Sequence, residues 1–456
     1  MVTLFEEYQN RITSDISTCI EELGCQPILF IGSGMSKRYF QAPNWQELLS
    51  VMSEQCPNIK KEFAYYTQSH SNLIEIGDIF ANAFKEWAWE DGRENFDRAL
   101  FSPDMPPDIY FKTKIAEYLI NLTPHNVSNI QDVNLQEEIN LIQSIRPHAV
   151  ITTNYDTFLE LIFPDFTPVI GQSILRNNYS AVGEIYKIHG CVTEPSSIVI
   201  TSKDYDEFSK KKKYLSAKLL TYFAEHPLVF MGYRAGDPNI KAILTDIDEL
   251  ISVDNQLIPN IYIIARDEKL TNNSEPPYEA VISIAEHRNV RIKNVSANKY
   301  DWVLRAFGAN PSIPKVNVKL LRAIQARTYD LVRYDLPRKE LQINLEKLEH
   351  QLSSQEEFAK IYGITTLDGY SSSSLNYKYT LTEVAEKLGY KGWYDASQLI
   401  EKITREKGEN IKSFDNKYHQ LITIGRQERH KYSDDLVELL KKVRDQENYD
   451  LDLSHS

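Results

Sequence analysis

Five short apolar runs narrow most sharply what this chain can fold into. Ile28–Ile31, Ala149–Ile151, Ile198–Ile200, Leu228–Met231 and Ile261–Ile264 each continue for three or four residues without a polar interruption. A strand with one wet face alternates apolar and polar residues, whereas an unbroken run suits a strand buried on both faces. Stretches with helical spacing separate several of these runs. The expected fold class is therefore α/β, a Rossmann-like open parallel sheet with helices on both sides.

Between about residue 45 and residue 145 no strand pattern occurs. Apolar residues recur there at helical spacing, as in Trp45, Leu48, Leu49, Met52 and in Ile115, Tyr118, Leu119, Leu122, which predicts a helical insertion after the first strand. Gly308–Pro314, with two prolines and small polar residues, marks a boundary. The chain divides accordingly into residues 1–310 and a mainly α-helical C-terminal domain, 311–456. In the latter, Leu341, Leu345, Leu348 and Leu352 form one stripe and Ser371–Ser374 break the helices. Thr380 and Glu383 have capping-box spacing ahead of Leu381, Val384, Ala385 and Leu388, with Gly389 as a stop. A second helix with Ala396, Leu399, Ile400 and Ile403 inward ends near Gly408. Two short helices around a glycine turn form a helix-turn-helix-like segment.

Charge limits the partners. Residues 315–456 are balanced, with 23 basic and 23 acidic side chains, so the net charge of −13 sits entirely in the first two thirds. An acidic body repels nucleic acid, leaving only the C-terminal domain to meet it. There Lys402 and Arg405 alternate with Glu401 and Glu406, and DNA reading, partner docking and plain packing all stay open. Lys210–Lys213 reads as a solvated helix face. His125, His148 and His226, each beside a proline, read as loop residues. No apolar run approaches the ~18 residues that cross a bilayer, and Glu6 and Glu7 stand where a secretory leader carries basic residues. The expectation is a cytoplasmic protein without membrane contact. Cys19, Cys25, Cys56 and Cys191 form no C-x-x-C pair, so free thiols and no metal are expected.

Four loops could carry chemistry. Gly32-Ser33-Gly34-Met35-Ser36 follows the first run; glycines admit a diphosphate to a helix N-terminus, or simply make a tight strand-to-helix turn. Thr152-Thr153-Asn154-Tyr155-Asp156 follows the second, with an amide and a carboxylate that could reach a ribose or cap the next helix. His189, before Gly190, ends the run from Ile185 to Ile188 and suits a general base or a packed histidine. Gly232 to Asp237 forms a polar loop after Leu228–Met231.

In this order the four loops resemble the sirtuin family, whose pattern is G-A-G-x-S, T-x-N-x-D, a histidine before glycine, and a late glycine loop. The resemblance covers about residues 20–300. It departs at Ser33, where alanine is usual, at Arg234, where a small hydroxyl residue is usual, and in lacking the two C-x-x-C pairs of the zinc module. The chain thus looks like the zinc-free branch of bacterial anti-phage systems whose members hydrolyse NAD, including forms with a helical extension that work beside a HerA-like hexameric ATPase. The resemblance implies NAD as substrate and no metal. It implies catalytic roles for Asn154, His189 and Asp156, and NAD contacts from Gly32, Ser33, Gly34, Ser36, Thr153, Gly232, Tyr233 and Asp237. It also implies a homo-oligomer with a sensor or docking module at the C-terminus. Protein deacylation, ADP-ribosyl transfer and non-catalytic NAD or ADP-ribose sensing remain as alternatives; the missing zinc module counts against the deacylase.

Overall fold

The computed structural model describes residues 2–171, 183–234, 236–251, 257–285, 288–309, 377–424 and 427–453. They fall into two compact units, Met1–Ile16 with Cys25–Arg322 and Ser17–Gly24 with Ala323–Ser456. The stripe from Leu341 to Leu352, the run Ser371–Ser374 and most of Gly308–Pro314 lie outside the described residues, as do the side chains of Lys210–Lys213.

The first unit is α/β. Its strands are β1 (Ile28–Ile31), β2 (Ala149–Thr152), β3 (Thr167–Ile170), β4 (Glu184–Lys187), β5 (Leu228–Met231), β6 (Leu257–Arg266), β7 (Glu279–Ala285) and β8 (Arg288–Ala297). They form one sheet in the order β3-β4-β2-β1-β5-β6-β8-β7. All neighbours pair parallel except β7 with β8. Every residue of β1, β2, β4 and β5 is buried, as strands covered on both faces require. Strand order reverses about β1: the chain runs outward from β2 to the edge strand β3, fills the place between them with β4, then crosses to β5 on the other side of β1. Ligands of open α/β sheets bind at the C-terminal edge beside such a reversal.

Between β1 and β2 the chain forms five α-helices after the short helix Ser33–Phe40, at Trp45–Gln55, Phe63–Ser69, Leu73–Trp89, Ile109–Leu122 and Val133–Ile145. Leu48, Leu49, Met52, Phe80, Phe84, Phe111, Ile115 and Leu119 build a core for the helices from Trp45–Gln55 to Ile109–Leu122. The run Ile198–Ile200, expected as a strand, joins that core without pairing in the sheet. Its backbone is satisfied otherwise: Val199 donates to His189 O and accepts from the Tyr155 hydroxyl, and Ile200 donates to Asp204. Its apolarity thus reports burial, not a ladder. His148 and His226 lie in the loops that lead into β2 and β5, as expected, and their rings pack 4.3 Å apart centre to centre.

In the second unit Thr380 caps the helix Leu381–Lys387 in a full capping box with Glu383. Gly389, at φ +87°, follows its end. Trp393–Lys407 ends on Gly408, which adopts φ +75°. A two-stranded antiparallel hairpin, β9 (His419–Ile424) and β10 (Gln427–Tyr432), and the helix Asp434–Arg444 complete the unit. No helix among the described residues is long and apolar enough to cross a membrane, and the four cysteines are free.

Candidate functional site

The loops after β1, β2, β4 and β5 leave the same edge of the sheet. The first and last are locked together. Gly32 N–H donates to Met231 O at 2.8 Å and Gly34 N–H to Gly232 O at 3.0 Å. A Cβ on Gly32 would stand 2.8 Å from Gly232 O, and one on Gly34 2.7 Å from the same atom. Gly232 itself has φ +76°, and a Cβ there would stand 2.7 Å from Gly32 O and Met35 N. Packing of one loop on the other therefore already requires all three glycines, and two of the amides expected to face a diphosphate are engaged by carbonyls. Ser33 and Gly34 are exposed at the helix N-terminus. Tyr233 is buried between Phe30 and Phe230. Its hydroxyl lies 2.8 Å from Thr153 Oγ1 and donates to Ile31 O at 3.1 Å.

The β2 loop is built from its own strand end. Thr152 Oγ1 donates to Ile31 O and accepts from Asn154 N–H, turning the chain out of the sheet. Asn154 Nδ2 then donates to Ser36 Oγ at 3.0 Å, and Ser36 Oγ donates to Asp156 Oδ2 at 2.8 Å. The other carboxylate oxygen, Oδ1, accepts Phe158 N–H at 3.1 Å. Below this turn Lys187, fully buried in β4, donates to Asp156 O and to Glu160 Oε1 at 3.0 Å. Burial disfavours the Lys187 ammonium, but the charges of Glu160, Cys191 and Asp156 and the hydrogen bond to Glu160 together outweigh it and the pKa is raised.

His189 leaves β4 beside this cluster: Thr152 pairs with Lys187, and Ile188 N–H donates to Thr152 O at 3.0 Å. Its ring meets the edges of Tyr205 and Phe208, with centroids 5.8 and 5.1 Å away. Burial alone pulls its pKa from 6.5 down to about 4, so the imidazole is neutral at pH 7. Asp237 acts on this neighbourhood by charge: burial first, then Asp204 and Asp237, raise Tyr205.

The buried histidine predicts an acid limb in stability. Below pH 6.5 the unfolded chain protonates this histidine while the folded chain refuses the proton until about pH 4. Stability is thus lost as pH falls through that window and is unaffected above it, at about 1.4 kcal/mol per pH unit for one proton. Denaturant titrations at pH 7.5 and 5.0 check this. His189→Gln should shallow the pH dependence by one proton, and an unchanged slope would refute the assignment.

Asn154, Asp156 and Ser36 are thus joined directly, and Gly32, Gly34, Gly232, Tyr233 and Thr153 form a second joined set. His189 and Asp237 are tied to these sets through strand register and Tyr205. Thr152, the first residue of the expected loop, turns the chain out of the sheet, while Lys187 and Glu160 support the site unforeseen. The available signal was a lysine inside the apolar run Ile185–Ile188, a position that only a paired cation tolerates.

Comparison with known proteins bears on this same edge. The chain is 22% identical over 208 residues, 41% of its length, to the NAD(+) hydrolase ThsA of Bacillus cereus (strain MSX-D12). It is 22% identical over 309 residues, 64% of its length, to the defense-associated sirtuin 2 of Bacillus subtilis. With the NAD(+) hydrolase ThsA of Enterococcus faecium it shares 28% over 130 residues, 26% of its length. It spans 43% of the first relative and 26% of each of the others. Residues 148–292, from β2 into β8 and so including Asn154, Asp156, His189 and the Gly232 loop, match the SIR2-like domain family.

Proposed function

We propose that this protein is an NAD+ glycohydrolase and that it serves as an effector of anti-phage defence, depleting NAD when activated. The observation that carries the reading is the hydrogen-bonded Ser36–Asn154–Asp156 cluster at the C-terminal edge of β1 and β2, with His189 in register beside it. NAD would lie across these strand ends. The C1′–N bond of the nicotinamide riboside breaks, nicotinamide leaves with the bonding pair, and water adds to C1′ and loses a proton. Asn154 would orient that water or a ribose hydroxyl. His189, neutral at pH 7, is available to accept the proton. The diphosphate would meet Ser33 at the exposed start of Ser33–Phe40, since the amides of Gly32 and Gly34 are engaged. Relatives named NAD(+) hydrolase and defense-associated sirtuin support the activity and its setting. Residues 1–310 would be catalytic. Residues 311–456 would sense or dock a partner such as a HerA-like ATPase, within a homo-oligomer in the cytoplasm.

The test is nicotinamide release from NAD, with and without an acetylated peptide and with candidate activators. Release without peptide is expected. Strictly peptide-dependent release would replace this reading with deacylation, and NAD binding without release in every condition would replace it with sensing.

A further inference from the structure

The hydrolase reading leaves open which end of the Asn154 amide faces the sugar. An amide can present either a hydrogen-bond acceptor or a donor, and the two have opposite consequences. Positive charge develops on the sugar as nicotinamide departs, so the negative end of a dipole stabilises the transition state and the positive end opposes it. A water attacking C1′ likewise needs an acceptor for its proton.

The neighbours of Asn154 settle this end by proton counting. Phe158 N–H occupies Asp156 Oδ1 at 3.1 Å. Asp156 Oδ2 has only lone pairs, so the single Ser36 proton must point to it, at 2.8 Å. The side of Ser36 Oγ facing Asn154 is then a lone pair and can be met only by N–H, as Asn154 Nδ2 does at 3.0 Å. Among the described residues no donor reaches Asn154 Oδ1, and the residue keeps 8% of its surface accessible.

We propose that Asp156 and Ser36 are positioning residues that act through Asn154, holding its carbonyl oxygen toward the substrate as the acceptor. This rests on the hydrolase reading and narrows the role of Asp156, whose two oxygens are committed within the protein. Asp156→Asn is the sharp test. Phe158 N–H would still demand an oxygen, which turns the new amide nitrogen toward Ser36. The Ser36 proton is then displaced toward residue 154, and Asn154 must rotate to accept it, presenting N–H to the sugar.

The expected result for D156N is a fall in kcat of about 100-fold, with NAD affinity by calorimetry and the melting temperature close to the parent. Exchanging the two residues, N154D together with D156N, keeps the charge constant. It places a carboxylate at 154 that accepts the Ser36 proton and still offers an oxygen to the sugar, so kcat should recover at least tenfold over D156N. A merely structural Asp156 predicts no such rescue. Parental kcat in D156N, or an exchange variant no faster than D156N, overturns the inference while leaving the hydrolase reading intact. A parent that never releases nicotinamide overturns the reading, and the inference with it. If D156N does not fold, Ser36→Ala decides: kcat should fall at unchanged KM, and a parental kcat refutes the inference.

Discussion

Asn154→Ala is expected to lower kcat for nicotinamide release by a factor of about 10² to 10³ while the folded structure persists. The size follows from removing a preoriented dipole from a buried site where charge develops. The fold should persist because the loop does not depend on this side chain. Thr152 still bonds Ile31 O, Asp156 still accepts Ser36 and Phe158, and Lys187 still holds the Asp156 carbonyl. The loss within the protein is one neutral hydrogen bond, worth about 1 kcal/mol. Steady-state kinetics and a melting curve on the same sample separate the two effects. His189→Ala should cost kcat within the ~10² to 10⁴ expected for a general base, but it also opens a void against Tyr205 and Phe208, so His189→Gln is the cleaner companion. Parental turnover in both Asn154→Ala and His189→Gln would remove the catalytic assignment.

The sheet was legible where burial is symmetric. β1, β2, β5 and the centre of β6 are continuous apolar runs because both of their faces are buried. The strands that escaped notice break that rule for physical reasons. β3 contains Pro168, which discourages a strand assignment but is tolerated at a sheet edge, where β3 lies. β8 carries Lys293 and Asn294 in its buried centre. Lys293 is neutralised by Asp15 at 2.6 Å, a partner 278 residues away that no local pattern announces. β7 alternates, with Val281 exposed and Ile282 buried. Ile198–Ile200 errs in the other direction: its apolarity was read correctly as burial, but pairing depends on neighbours that composition does not specify. The site followed the same logic. Residue types and order located Asn154, Asp156 and His189, whereas the bond through Ser36 spans 118 residues and belongs to the topology alone. Thr380 and Gly408 were legible because caps are local devices.

Gly232→Ala should destabilise the protein by about 3 kcal/mol, combining the ~1–2 kcal/mol cost of a side chain in left-handed backbone with overpacking of ~1–3 kcal/mol. If the Gly32 and Gly232 loops are glycine-rich only to admit a diphosphate, a methyl group at 232 leaves the ligand-free protein unharmed and raises KM. The observed contacts say otherwise. At φ +76° the added carbon meets Gly32 O and Met35 N at 2.7 Å, and both are backbone atoms at the start of a helix that cannot turn aside. Gly34→Ala provides the comparison, since its Cβ also meets Gly232 O at 2.7 Å but the residue lies within the helix Ser33–Phe40 and pays no left-handed penalty. The Gly34 variant should therefore be destabilised less than the Gly232 variant. Both losses should appear in melting temperatures measured without NAD. Equal stability of parent and both variants, with only KM altered, would mean that the loops separate readily in solution and that the glycines serve the ligand.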